Sequence, residues 1–226
     1  FSERLGQIQI NRGAVYSLSR LNNFNVIFDG SQFSKWSFDE SWMKGEGGHP
    51  FSNTNKSVLS SSLIIPDQFN LDLEINSTDS PRFLFAIGEG DRSAESDGAL
   101  KLETWDNEIV LVQGQIFEPV TSIKDLQKSV RLRLSYNSVS RRLQIFNANG
   151  SLLVEVGDVQ VPVQTQANIS IRNRGKDLSI KRMVFYRGVK NVANEMIDTK
   201  KSRVLMSDGK IYYGRLFVAN GKAFVE

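Results

Sequence analysis

The sequence contains no cysteine, one histidine and five prolines among 226 residues. Without cysteine there is no disulfide framework, no thiol nucleophile and no thiolate metal site. With His49 as the sole imidazole, a zinc site of the usual ligand sets is excluded. A Ser-His-Asp relay would have to run through that same residue. His49 sits in the glycine-rich stretch Gly45, Glu46, Gly47, Gly48, His49, Pro50. No Gly-Lys-Ser/Thr follows that stretch, so it is not a phosphate loop. No apolar run approaches the ~20 residues of a membrane-spanning helix. Charge of one sign is also scarce: the net charge is +3, and the longest basic runs are pairs such as Lys200-Lys201. A nucleic-acid partner would ask for a clustered basic face, and none is expected here.

Alternation is abundant. Leu71, Leu73 and Ile75 alternate with Asp72, Glu74 and Asn76. The same period of two recurs at residues 83–87, 100–105, 131–134, 143–145, 152–156, 169–171 and 178–180. Short alternating runs broken by Gly, Asn, Asp and Pro predict an antiparallel two-sheet sandwich. Hydrophobic residues make up 40% of the chain, enough for one large β domain and a small accessory unit. Helical pattern is thin: single turns are expected at residues 122–128 and 13–22, and a short helix at 192–199. Residues 45–62 and 88–98 read as polar loops, which on a sandwich are common places for binding.

The two ends share a different grammar. Residues 203–226 read as three short strands joined at Asp208-Gly209 and Asn220-Gly221. Residues 5–18 read as two strands of the same kind. Together they predict one small five-stranded, SH3-like barrel. This gives three segments: 1–22 and 191–226 for the barrel and its linker, and 23–190 for the sandwich. The barrel halves are expected to meet within the chain or with a neighbouring copy. The chain does not begin with Met and carries no signal peptide. It is read as a piece of a longer, exported protein.

Four stretches carry a family likeness. Val26, Ile27, Phe28, Asp29 and Gly30 run on to Trp36 as an apolar-apolar-apolar-Asp-Gly…Trp opening. Residues 60–75, 144–156 and 169–187 follow as a strand pair, a late hairpin and closing strands. This pattern resembles the concanavalin A-like jelly-roll domains of bacterial exported proteins, a group that includes laminin-G-like and sugar-hydrolase-associated sandwiches. It is especially similar to multidomain proteins of planctomycete-type bacteria, where such sandwiches are flanked by short barrel strands. The resemblance implies a jelly roll of the carbohydrate-binding kind, and little about activity.

If the alternating strands share one sheet, Asp72, Glu74, Arg82, Lys101, Glu103, Trp105, Arg131 and Arg133 project from its outer face. Such a face holds a glycan by stacking Trp105 on sugar CH groups and by hydrogen bonds from the charged side chains. The competing reading is a ladder of cross-strand ion pairs. Asp72 and Glu74 point to one face, but a retaining glycosidase needs a carboxylate pair about 5 Å apart, and the third acid of the family pattern is missing. Trp36 is expected in the core and Trp42 nearer the surface. Asp91, Glu95 and Asp97 offer hard oxygen ligands for calcium at the rim, without the spacing of a calcium loop. The expected function is a non-catalytic module binding carbohydrate or protein. A divergent glycan hydrolase and a structural spacer are the alternatives.

Overall fold

The computed structural model describes residues 26–38, 40–90, 95–123 and 127–187, together with the backbone of four short strands nearer the C-terminus. In chain order the strands are β1 (Val26–Asp29), β2 (Ser37–Phe38), β3 (Met43–Lys44), β4 (Pro50–Ser52), β5 (Val58–Ile64), β6 (Gln68–Asn76) and β7 (Phe83–Gly88). They continue with β8 (Leu100–Trp105), β9 (Glu108–Gln113), β10 (Ile116–Ser122), β11 (Ser129–Asn137), β12 (Arg142–Asn147), β13 (Leu152–Val156), β14 (Gln166–Asn173) and β15 (Leu178–Arg187). The last four are β16 (Arg203–Leu205), β17 (Ile211–Tyr213), β18 (Leu216–Ala219) and β19 (Lys222–Val225).

The first fifteen strands form two antiparallel sheets. An eight-stranded sheet runs β13-β12-β11-β6-β15-β4-β3, with β1 also paired to β15. A seven-stranded sheet runs β10-β9-β8-β7-β14-β5-β2. The expected two-sheet jelly roll is the observed architecture. β5 and β6, like β14 and β15, are consecutive in sequence but lie in opposite sheets.

Period-two patterning assigns the faces. In β6, Phe69, Leu71, Leu73 and Ile75 are fully buried, while Asp72 and Glu74 turn outward. Leu132, Leu134, Met183 and Phe185 join them from the same sheet, and Phe83, Phe85, Leu102, Ile169 and Ile171 face them from the other. Burying a Leu or Phe side chain contributes about 1.5–3 kcal/mol, so these two facing rows dominate folding. A bulge in β15 between Ile180 and Arg182 adds one residue, and thereby keeps Met183 and Phe185 inward while Arg182 faces out.

Several expectations need correction. Residues 45–62 hold β4 and most of β5 rather than one long loop. The serines of β5 disguise a strand whose Leu59 is fully buried. β9 was not legible as a strand, because Ile109, Val110 and Leu111 are buried on both faces and show no alternation, and β10 was not legible because Ile116, Phe117, Glu118 and Pro119 carry no period of two. Trp42 is not near the surface: it is 3% exposed and part of the core. Trp36 is core as expected, and its indole N–H donates to the Gly30 carbonyl at 2.7 Å.

The chain divides into two compact units, Asn23–Lys190 and one combining Phe1–Asn22 with Asn191–Glu226. In the second, β16 pairs with β17 and β18 with β19, giving two hairpins where three strands were expected. The expected strands at 5–18 and the helical turns at 13–22 and 192–199 lie outside the described residues. So do residues 124–126 of the turn expected at 122–128.

Two staples hold one end of the sandwich. The Asp177 carboxylate accepts from the Thr78 backbone N–H at 2.8 Å and from the Thr78 hydroxyl, tying the β6–β7 turn to the β14–β15 turn. Asn173, fully buried, donates its amide to the Thr54 carbonyl at 3.1 Å and accepts from the Gly175 N–H at 2.9 Å. Burial opposes ionisation of Asp177, but hydrogen bonds from Thr78 and Ser77 and the charge of Lys176 together hold its carboxyl below its ordinary value. A lowered carboxylate stabilises the fold above its unfolded pKa, and that contribution is lost as pH falls through the folded value. Asp177→Asn should therefore lower stability by about 1–3 kcal/mol at neutral pH. Denaturant melts should show the gap to wild type narrowing below about pH 4. Gly30 is a second sensitive point. A Cβ there would meet the Phe28 ring at 2.6 Å and the Trp36 ring at 2.7 Å. Gly30→Ala should lower the melting temperature, with a loss of about 1–3 kcal/mol from overpacking.

Candidate binding face

The eight expected site residues divide between two surfaces, because their strands do not share one sheet. Asp72 and Glu74 on β6, with Arg131 and Arg133 on β11, lie on the outer face of the eight-stranded sheet. Lys101, Glu103 and Trp105 on β8, with Arg82 just before β7, belong to the seven-stranded sheet. No single ligand on one sheet face touches both sets.

On the eight-stranded sheet the acids are held by arginines. Asp72 accepts from Arg133 at 2.7 Å and from Arg182 at 3.2 Å, and Glu74 pairs with Arg131 at 3.3 Å. Tyr186 completes the group, with its hydroxyl near Asp72 and bonded to Arg182. The hydrogen bond to Asp72 raises the Arg133 pKa, against a smaller lowering by burial. Burial, and next the charge of Asp72, push the Tyr186 hydroxyl up. Farther along the sheet Glu155 takes Arg142 at 2.9 Å and Gln144 at 2.6 Å. This surface is the cross-strand ion-pair ladder, with Asp72 as its hub.

The seven-stranded sheet differs. Leu84, Ala86, Val110, Asn168 and Ser170 face away from the main core, yet all are buried. Leu84 and Ala86 form a small separate cluster. On this outer face Arg172 of β14 pairs with Glu95, which precedes β8, at 3.2 Å. The central face of this sheet is therefore covered, and what is accessible lies toward β8, β9 and β10.

There Trp105 and Phe117 stand as an exposed aromatic pair, 49% and 46% accessible, with ring centroids 4.9 Å apart and planes tilted by 52°. Trp105 ends β8 at the turn formed by Asp106 and Asn107, where Asp106 takes φ +48°. Phe117 reaches the pair from β10, in register with Val112 and, through it, Lys101. Val110 lies between these rows and is 1% exposed. Beside the rings Glu103, nearly buried, pairs with Arg174 at 2.5 Å. The arrangement is an apolar platform of two tilted rings edged by fixed charge. Phe117 and Arg174 were not singled out in the sequence. Phe117 belongs to the strand that lacked alternation. Arg174 is in the Asn173-Arg174-Gly175-Lys176 turn, whose basic character was the available signal.

Arg82 lies one step beyond this platform. Its carbonyl accepts from the Arg174 N–H at 2.8 Å, and a Cβ on Gly175 would approach its own Cβ to 3.2 Å. A cleft of about 530 Å³ opens here between the β4–β5, β6–β7 and β14–β15 turns.

The other expected residues are placed as follows. His49 bonds through Nδ1 to the Ser31 carbonyl at 3.1 Å, with no carboxylate bonded to it among the described residues. Of the three rim acids, Asp91 lies outside the described residues and Glu95 is taken by Arg172. Among the described residues no three His, Cys, Asp or Glu side chains group to hold a metal.

The sequence matches no family model and no curated protein sequence. Solved structures of the same shape do exist. One is the exoplasmic/lumenal domain of VIP36 in a Ca²⁺/Man3GlcNAc-bound form, with TM-score 0.53 and 13% identity, covering 80% of this chain and 96% of that one. Another is the carbohydrate recognition domain of Emp46p in a potassium-bound form, with TM-score 0.51 and 15% identity, covering 75% and 100%. Peanut lectin with a 9mer peptide is similar at TM-score 0.50 and 15% identity, covering 71% and 96%. At these identities the likeness is one of fold: the chain has the antiparallel two-sheet jelly roll of lectin-type carbohydrate-binding domains.

Proposed function

We propose that the sandwich is a non-catalytic carbohydrate-binding module of an exported protein, and that its ligand lies on the Trp105–Phe117 platform. The observation that carries this reading is the exposed aromatic pair on the seven-stranded sheet, next to the fixed Glu103–Arg174 pair. An aromatic face is electron-rich at its centre and attracts the weakly positive CH groups of a pyranose. Large apolar side chains left half exposed in a mostly polar surface mark a contact site. Glu103, Arg174 and Lys101 supply directed hydrogen bonds for hydroxyls at the platform's edge. The lectin-type fold supports the same reading, as does the commitment of Asp72 and Glu74 to arginine partners. We read the unit formed by the chain ends as the small barrel expected from its strand grammar.

A glycan array followed by calorimetry tests the platform. Trp105→Ala should abolish binding, since a single stacking ring contributes about 1–3 kcal/mol, and Phe117→Ala should weaken it. Both variants should keep a wild-type melting curve. If Trp105→Ala unfolds the domain, Trp105 is a core residue and the platform reading fails. Asp72→Asn is the opposite control. It should lower stability by leaving Arg133 and Arg182 without their shared partner, and leave glycan affinity unchanged. Weakened binding in Asp72→Asn would move the site to the other sheet.

A further inference from the structure

The cleft beside the platform has a charge arrangement that the platform alone does not explain. Its wall carries three cations, Arg82, Arg174 and Lys176, and one carboxylate, Asp79. Arg174 is balanced by Glu103 at 2.5 Å. Arg82 and Lys176 have no carboxylate within ion-pair distance among the described residues, and Asp79 has no cation within it. Elsewhere on the sandwich arginines are commonly matched: Arg131, Arg133, Arg141, Arg142, Arg172 and Arg182 each hold an acid. Among the described residues Arg82 and Arg187 fall outside that pattern, as do the lysines, and Arg82 shares its concavity with Lys176, whose charge also acts on Asp177.

The cleft is also built rigidly. Asn173 fastens the β4–β5 turn and Asp177 fastens the β6–β7 turn, each to the β14–β15 turn that carries Arg174 and Lys176. All three walls are therefore held before any ligand arrives, which reduces the ordering cost of binding. Asn53 and Asn55 line the same space and offer amides of both polarities to hydroxyls. A volume near 530 Å³ lies within the range of small-molecule sites.

The cleft and the platform adjoin. β7 and β8 pair with Leu84 opposite Glu103, so two residues back along β7 Arg82 stands level with Trp105. Arg174 lines the cleft and bonds Glu103 on the platform's edge. A sugar stacked on Trp105 thus has its neighbour along the chain directed toward Arg82 and Lys176. We propose that this cleft is an anionic-sugar subsite, selecting glycans in which a unit next to the stacked one carries a carboxylate or a sulfate ester. The inference rests on the platform reading above and adds the class of glycan to it. An arginine fork and an ammonium suit an oxyanion on a hydroxylated ring, and the asparagines read the rest of that ring. Extended nucleic acid is the poorer fit, because the net charge is only +3 and no basic run in the sequence is longer than a pair.

The test uses the full chain and matched probes: galacturonate hexamers against their methyl esters, and κ-carrageenan hexamers against neutral agarose hexamers. Wild type should bind at least one acid about tenfold more tightly than its neutral counterpart. The pair that shows the preference identifies the anion, and the preference should shrink as salt rises. Arg82→Gln/Lys176→Gln should bind acid and neutral forms alike, with neutral affinity unchanged. Trp105→Ala should lose both. Equal affinity of wild type for each acid and its neutral partner, with Trp105→Ala still abolishing binding, would overturn the subsite and leave the platform standing. A preference that survives in Arg82→Gln/Lys176→Gln, or in Arg82→Ala where that double variant does not fold, would also overturn it. So would equal retention of a DNA 12-mer, which would mark general polyanion attraction. If no hexamer binds wild type, the platform reading falls and the subsite with it.

Discussion

Each sheet commits one face to a shared core, and a residue's parity along its strand then decides whether it can meet a ligand. Everything else on the sandwich follows from that constraint. Leu71 and Leu73 facing in oblige Asp72 and Glu74 to face out, and Leu102 facing in sends Glu103 and Lys101 outward. Where the parity would have failed, in β15, a bulged residue restores it and turns Arg182 toward Asp72 instead of into the core. The surface chemistry of this domain is thus a by-product of how its hydrophobic residues are spaced.

The two outer faces use that by-product differently. On the eight-stranded sheet the outward acids of β6 and β13 are engaged by arginines of neighbouring strands. Such exposed pairs each contribute little to stability, but they engage Asp72, Glu74 and Glu155 within the sheet. On the seven-stranded sheet the outward side chains at the middle, Leu84, Ala86, Val110, Asn168 and Ser170, are buried. Recognition is displaced to the margin, where two aromatic rings remain half exposed beside a buried carboxylate. The contrast explains why one set of outward residues reads as structure and the other as a site.

How much of this was legible in the sequence depended on burial. Alternation showed β6, β11 and β12 clearly, because each has one wet face. It failed for β9, where Val110 is outward yet covered, and for the start of β5, where serines stand on a strand that alternation does not show and only the family likeness, from residue 60, suggests. Trp105 was legible as an outward residue of β8. Its partner Phe117 was not, since their contact joins β8 to β10 across an intervening strand. The division of the acids and bases between two sheets was invisible too: strand parity is local, whereas sheet membership is set by the order of strands. The jelly-roll likeness implied the sandwich but not which of the site residues share a sheet.

The order of strands has a further consequence, for how the chain is made. β14 lies between β5 and β7, and β15 lies between β6 and β4, so the last two strands of the sandwich are inserted at the middle of both sheets. They are joined by the short turn that carries both Asn173 and Asp177. During synthesis, every earlier strand that borders them waits with an open backbone edge and an uncovered apolar face. Folding dominated by such distant pairings is slow. Until that final arch arrives, the nascent domain is a set of templates for the wrong partner. Its arrival closes both sheets at once, so the domain matures in one late step, and a chain halted just short of it has no stable half-way form to rest in.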